Sequence, residues 1–215
     1  MVRYKTVYGR GEASFEEKRS EFIGHISHCN SEEDAIKFIE EINEKYKDAT
    51  HNCYAYIIGE NSLTQRYSDN GEPQGTAGIP ILEVLKKENL TNIACVVTRY
   101  YGGKKLGASG LIRAYTKGCT LALNEVDIVK IKDYKKVKIV INYNVLGVFD
   151  NWLGLSVHTE FNREYTDDVS IYLYVDDEKF SSLESELMDM TGGTVQIEIL
   201  ENIIMPTKDG ALYRR

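Results

Sequence analysis

The sequence predicts an α+β protein in two parts: a mixed α/β sandwich followed by a ferredoxin-like βαββαβ domain. Three observations carry this. Apolar, β-branched runs alternate with stretches of helical period through the first part. From residue 136 the order becomes β-α-β-β-α-β, the split βαβ pattern. Between them lies 130-KIKDYKK, a charged stretch suited to a boundary. The expected parts are residues 1–132, residues 133–202 and a C-terminal tail, 203–215, with no clear period.

The elements follow in order. A strand is expected at 21-EFIGHISHC. Ser31 with Asp34 three residues later makes a capping-box-like start. Ala35, Ile36, Phe38, Ile39, Ile42 and Tyr46 then recur at helical spacing. Residues 53-CYAYIIG read as a buried strand, and 63-LTQRYSDNGEPQGTAG as a long polar, glycine-rich loop. Pro80 suits the first turn of a helix through 81-ILEVLKKE. Residues 93-IACVVTRYY form a β-branched strand, and Leu111, Ala114, Tyr115, Gly118, Leu121 and Ala122 mark one face of the next helix.

In the second part, strand 136-KVKIVINY leads to a helix with Val145, Leu146, Phe149, Trp152 and Leu153 on one face. Strands near 157-VHTEF and 169-VSIYLYV follow. A helix carrying Phe180, Leu183, Leu187 and Met190 is stopped by 192-GG, and 195-VQIEIL is the last strand.

Composition excludes several classes. No apolar run of about 18 residues offers a membrane span, and the N-terminus lacks the apolar core of a signal peptide. Cys29, Cys53, Cys95 and Cys119 form no Cys-x-x-Cys pair, and three lie in apolar stretches, so buried reduced thiols are expected. His25, His28, His51 and His158 show no zinc-ligand spacing with them. A cytoplasmic protein without metal or cofactor is the expectation. The net charge of −7 is unevenly spread. Residues 135–215 carry 8 Lys+Arg against 14 Asp+Glu, a net of −6, which leaves −1 for residues 1–134. The first part can therefore carry a local basic face for a phosphate-bearing partner.

Two loops carry the candidate chemistry. In 98-TRYYGGKKLGASGLIRAY, glycines connect a strand to a helix whose N-terminal N–H groups and dipole favour an anion. Arg99, Lys104, Lys105, Arg113 and Lys117 supply positive charge, with no carboxylate between 99 and 117. Gly107 and Gly110 allow close backbone approach, and Ser109 is placed to cap the helix or donate to a phosphate. The stretch matches neither the Walker A motif nor the dinucleotide fingerprint. A tight turn with merely solvated lysines accounts for it equally well.

In 66-RYSDNGEPQGTAGIP, Asp69 and Glu72 are candidates for acid–base work or for holding a divalent ion. Turn chemistry, with Asn70-Gly71 supplying positive φ, is the plainer account. His51 begins a strand and is a weak third candidate. Tyr54, Tyr56, Tyr67, Tyr100 and Tyr101 lie around these stretches as candidate base-stacking rings.

Taken together, 68-SDNGEPQGTAGIPIL and 97-VTRYYGGKKLGASGLIRAY resemble the signature of the IMPACT family, in its bacterial branch. Its first loop supplies Ser68, Asp69, Gly71, Glu72, Pro73, Gly75, Thr76 and Gly78. The stretches 15-FEEKRSEFIGH and 51-HNCYAY also fit, while Tyr101 and Asn70 stand where Phe and Asp are usual. The resemblance implies a first domain folded like the second domain of a ribosomal small-subunit protein, and a second like the last domain of elongation factor G. Eukaryotic members regulate translation by binding the general-control activator protein, a system absent from bacteria. The expected function is thus a non-enzymatic regulatory protein binding RNA, the ribosome or a translation-related protein through the basic loop. The alternative is an enzyme or small-molecule phosphate binder using the same loop with Asp69 and Glu72.

Overall fold

In a computed structural model, described over residues 1–213, the apolar run at 93–100 is the middle strand of a five-stranded antiparallel sheet. Both its faces are covered, which is why it reads as a continuous apolar run rather than an alternating one. The elements in chain order are β1 (Val2–Tyr8), β2 (Arg10–Glu17), β3 (Ser20–His28), α1 (Glu32–Lys45), β4 (His51–Ile58), β5 (Thr64–Ser68), α2 (Gly78–Lys87), β6 (Ile93–Tyr100) and α3 (Ala108–Asn124). The sheet order is β2-β3-β6-β4-β5. Helix α1 starts as its capping box predicts, with Ser31 Oγ accepting from Asp34 N at 3.2 Å and Asp34 accepting from Asn30 N at 3.1 Å. It packs Phe38, Ile39 and Ile42 on one face of the sheet, against Tyr56, Ala94 and Val96. Helices α2 and α3 pack Ile81, Leu85, Leu111 and Tyr115 on the other, against Cys53, Ala55, Cys95 and Val97.

That division of helices has a topological consequence. Strands β3 and β4 run parallel, joined by α1 over β6; β5 and β6 run parallel, joined by α2 over β4. The two crossovers differ in both strand direction and step direction, so with one hand they would share a face. They occupy opposite faces, so one of them is left-handed, against the usual rule. As a result α2 and α3 lie side by side, and both begin at the sheet end where β5 and β6 finish. The glycine-rich loops that follow those strands are thereby brought together.

The second unit follows the ferredoxin-like plan. Its elements are β7 (Asp127–Ile141), α4 (Leu146–Leu155), β8 (Thr159–Tyr165), β9 (Val169–Asp176), α5 (Phe180–Thr191), β10 (Gln196–Lys208) and β11 (Ala211–Leu212). The order β11-β10-β7-β9-β8 is antiparallel throughout. Val137, Ile139, Ile171, Leu173, Phe149, Leu183 and Leu187 form its core. Gly192, at φ 60°, ends α5 in the left-handed conformation. The chain divides into Tyr4–Val129 and a unit made of Met1–Arg3 with the chain from Lys130 onward.

Several strands were not legible in the sequence. β2 alternates without a fully apolar face and has no expected element, and β5, with no buried residue, lies in the stretch that reads as loop. β7 runs straight through the charged stretch at 130, because Val129 and Tyr134 are buried, Lys130 is exposed and the half-buried Lys132 is paired with Asp176 and Glu178. The expected tail from 203 is strand through Lys208, paired with β7 from Ile203 to Thr207; its last residues, Arg214 and Arg215, lie outside the described residues. Among the described residues no helix is long and apolar enough to cross a membrane.

All four cysteines are free and buried. Burial pushes the Cys29 thiol up to about 11 and the Cys53 thiol up to about 12, so neither is a thiolate near neutrality. A thiol reagent at pH 8 should label none of the four in the folded protein and all four in denaturant; rapid native labelling would contradict the packing.

Burial lowers the pKa of His25, against the pull of Glu12, and burial with the nearby Lys179 lowers that of His158. The unfolded chain then binds more protons than the folded one below about pH 6.5. Stability from these groups is present above that value and lost as pH falls through the lower folded values. The melting temperature should therefore drop between pH 7.5 and 5.5. A His25→Gln/His158→Gln variant should show a flatter profile, and an equally steep one would reject this cause.

Candidate functional site

The loops after β5 and β6 close over one end of the first unit's sheet, and what joins them is a buried charge pair. Arg99 Nη1 donates to Glu72 Oε1 at 2.6 Å, and both side chains are almost wholly out of solvent. The same carboxylate oxygen accepts from the Tyr115 hydroxyl at 2.8 Å. Burial and the neighbouring Cys53 and Glu72 push the Tyr115 phenol far above its ordinary value, so it stays a donor. Arg99 Nη2 donates to Ser20 Oγ at 3.3 Å, and Gly102 N donates to the same oxygen at 3.2 Å. The rings of Phe22 and Tyr101 lie 5.4 and 5.3 Å from the guanidinium carbon. Among the described residues Arg99 Nε alone of the buried side-chain polar atoms has no partner.

Asp69 is placed differently from Glu72. Its Oδ1 accepts from Ala77 N at 3.0 Å and Gly78 N at 2.9 Å, and its Oδ2 from Gly75 N at 2.8 Å. It thus satisfies the first N–H groups of α2, whose own N-cap residue, Ala77, has no side chain to do so. The rest of the loop is wound around it. Ser68 Oγ accepts from Asn70 N, Asn70 Oδ1 accepts from Asn52 N, and Thr76 Oγ1 donates to Pro73 O at 2.6 Å. Gly71, at φ 86°, passes close under the His51 ring. His51 Nδ1 lies 2.7 Å from Asn70 O. A carbonyl only accepts, so Nδ1 carries the proton and Nε2 of the neutral ring is left with its lone pair. Nε2 lies 3.9 Å from Glu72 Oε2.

Above this buried base is a cleft of about 410 Å³, lined by Thr50, His51, Glu72, Pro73, Arg99, Tyr101, Lys105, Leu106, Gly107, Ala108 and Leu111. Residues of both glycine-rich loops therefore share one cavity. Gly107 is the N-cap of α3, at φ 75°, and makes no side-chain cap hydrogen bond among the described residues. Ser109 is an exposed residue inside the helix and does not cap it. The α3 N-terminus, Lys105 and the half-exposed Tyr101 ring thus face one concavity.

The other expected cations lie elsewhere. Lys104 is exposed in the loop. Arg113 and Lys117 line a separate depression with Phe15, Glu17, Lys18, Leu106, Gly110 and Ala114, where Lys117 Nζ sits 4.3 Å from the Phe15 ring centre. Arg99, expected as a surface anion ligand, is a buried positioning residue. Tyr115 and Ser20 had no sequence signal beyond the helix face and the 15-FEEKRSEFIGH stretch. Among the described residues no group of three His, Cys, Asp or Glu side chains is arranged to hold a metal.

Family models match along both parts: the Impact N-terminal domain over residues 18–123 and a domain of unknown function, DUF1949, over 139–194. IMPACT family member YvyE of Bacillus subtilis is 40% identical over 195 residues, covering 91% of this chain and 90% of that protein. YigZ of Escherichia coli is 31% identical over 186 residues, covering 86% and 91%. Protein IMPACT of Danio rerio is 35% identical over 99 residues, 44% of this chain and 31% of that protein. A crystal structure of a hypothetical protein superposes with a TM-score of 0.60 at 30% identity, over 94% of this chain and 98% of the other.

Removing one partner of a buried pair leaves the other charge unpaired, which costs about 3–5 kcal/mol. Glu72→Ala should lower stability by about that amount in denaturant unfolding, whereas Lys105→Ala should stay within about 0.5 kcal/mol. Equal, small effects would show that Glu72 and Arg99 are not paired in solution.

Proposed function

The chain belongs to the IMPACT family, and from that premise we propose that it is a non-enzymatic cytoplasmic binding protein of the translation apparatus whose cleft holds RNA. Translation enters through the family resemblance; RNA enters through the chemistry of the cleft. The observation that carries it is the cleft where Tyr101 and Lys105 flank the first turn of α3. A phosphate fits unbonded helix N–H groups beside a lysine. A base fits an exposed tyrosine ring, worth about 1–3 kcal/mol for each base stacked. The cleft's volume suits about one nucleotide unit. The two carboxylates offered as acid and base are already engaged, Asp69 by three backbone N–H groups and Glu72 by Arg99 and Tyr115.

One observation favours the second reading, an enzyme or small-molecule phosphate binder. His51 lines the cleft with Nε2 unprotonated in the neutral ring, which is how a general base is presented. A thermal-shift panel of nucleotides and sugar phosphates separates the two. A ligand at 100 times its dissociation constant adds about 2.7 kcal/mol, and such a shift abolished in His51→Gln would favour this reading.

For the leading reading, wild type should co-sediment with ribosomes or bind single-stranded RNA at low salt, and Lys104→Glu/Lys105→Glu should not. No association at low salt, or equal binding by the double variant, would sink the proposal.

A further inference from the structure

The turn between β2 and β3 consists of Lys18 and Arg19, at φ 48° and 69°. Two positive φ values in a two-residue hairpin loop define a type I′ turn, where Asn-Gly is the favoured pair. A lysine and an arginine here hold an unfavourable backbone conformation with no gain to the turn itself. Strain of this kind, when observed, points to a use for the side chains. The turn is also fixed in place. A Cβ on Gly102 would sit 1.7 Å from Arg19 O, so only glycine lets the β6–α3 loop lie against it.

The turn sits amid three depressions that share walls. Arg19 and Tyr101 line one, with Phe15, Tyr100 and the acidic Glu16 and Glu21. Tyr101 also lines the cleft at the start of α3. Lys18 lines the third, with Arg113 and Lys117; Glu17 is its acidic member. Leu106 borders both the cleft and that third depression, and Phe15 borders both depressions beside the turn. Each of the three hollows therefore holds at least one cation and one aromatic ring, the two kinds of group that hold successive nucleotides of a single strand.

We infer that the Lys18–Arg19 turn is a second phosphate-binding element, and that the RNA held is a single-stranded segment of several nucleotides. The segment passes from the cleft, beside the first turn of α3, to Arg113 and Lys117. This rests on the RNA reading of the cleft and extends it to a site away from the two glycine-rich loops.

The test uses the full chain, fluorescein-labelled U12, and UMP as competitor at low salt. Lys18→Asn/Arg19→Gly removes both charges while supplying the pair the turn favours. It should melt at or above the wild-type temperature and bind U12 at least tenfold more weakly, with a salt dependence shallower by about 1.4. Arg113→Gln/Lys117→Gln should weaken U12 similarly, and UMP should compete poorly. Undiminished binding by the turn variant, while Lys104→Glu/Lys105→Glu fails to bind, would overturn this inference and leave the cleft reading standing. UMP competing as well as U12 would do the same. No binding of U12 by wild type would remove both.

Discussion

The Glu72–Arg99 pair is the constraint on which the site depends. Taking a carboxylate and a guanidinium out of water is expensive, and their attraction offsets that only with good geometry and further hydrogen bonds. The hydrogen bonds are supplied by Tyr115 and Ser20, and the rings of Phe22 and Tyr101 flank the guanidinium, so the support is drawn from α3, β3 and the loop after β6. Such a pair contributes little net stability compared with an apolar replacement, but it permits one arrangement of the chain. Its use here is positional. It fixes the loop after β5 against the end of β6, so the first turn of α3 and Tyr101 keep their places around the cleft.

The acidity of the chain is not spread evenly along it. The excess of carboxylates lies in residues 135–215, and the first part is close to neutral. At physiological salt, exposed charges are largely screened beyond about 8 Å. A phosphate near α3 responds to the lysines and arginines within that range rather than to the net charge of the whole chain. The local carboxylates that do matter, Glu16, Glu17 and Glu21, line the hollows beside the Lys18–Arg19 turn.

What the sequence revealed depended on whether the signal was local. Helix α1, with its cap and its 3.6-residue period, and β6, with its β-branched run, were legible because a short window contains the cause. β2 and β5 were not, because sheet edges are held by backbone pairing and need no apolar face. At the site, both loops were visible as motifs, but not their bonding. Asp69 reads as a candidate acid because it stands near Glu72; in space it caps α2, eight and nine residues downstream. Arg99 reads as a surface cation because lysines follow it; in space its partner lies 27 residues earlier. No periodicity records such pairings.

The glycines show the same distinction between a motif and its cause. A glycine-rich loop before a helix suggests backbone opened for an anion, yet Gly102 serves a different end. Its missing Cβ makes room for Arg19 O, so it joins two segments of the protein. Gly107 is the glycine that suits the anion argument, because it holds a left-handed φ at the helix start and a Cβ there would meet nothing within 4 Å. One glycine therefore brings a basic turn to the loop while the other leaves the helix N-terminus open beside it. Substituting either would act through different physics, the first by displacing the Lys18–Arg19 turn and the second by straining the cap of α3. Two glycines of one short loop therefore serve separate physical ends.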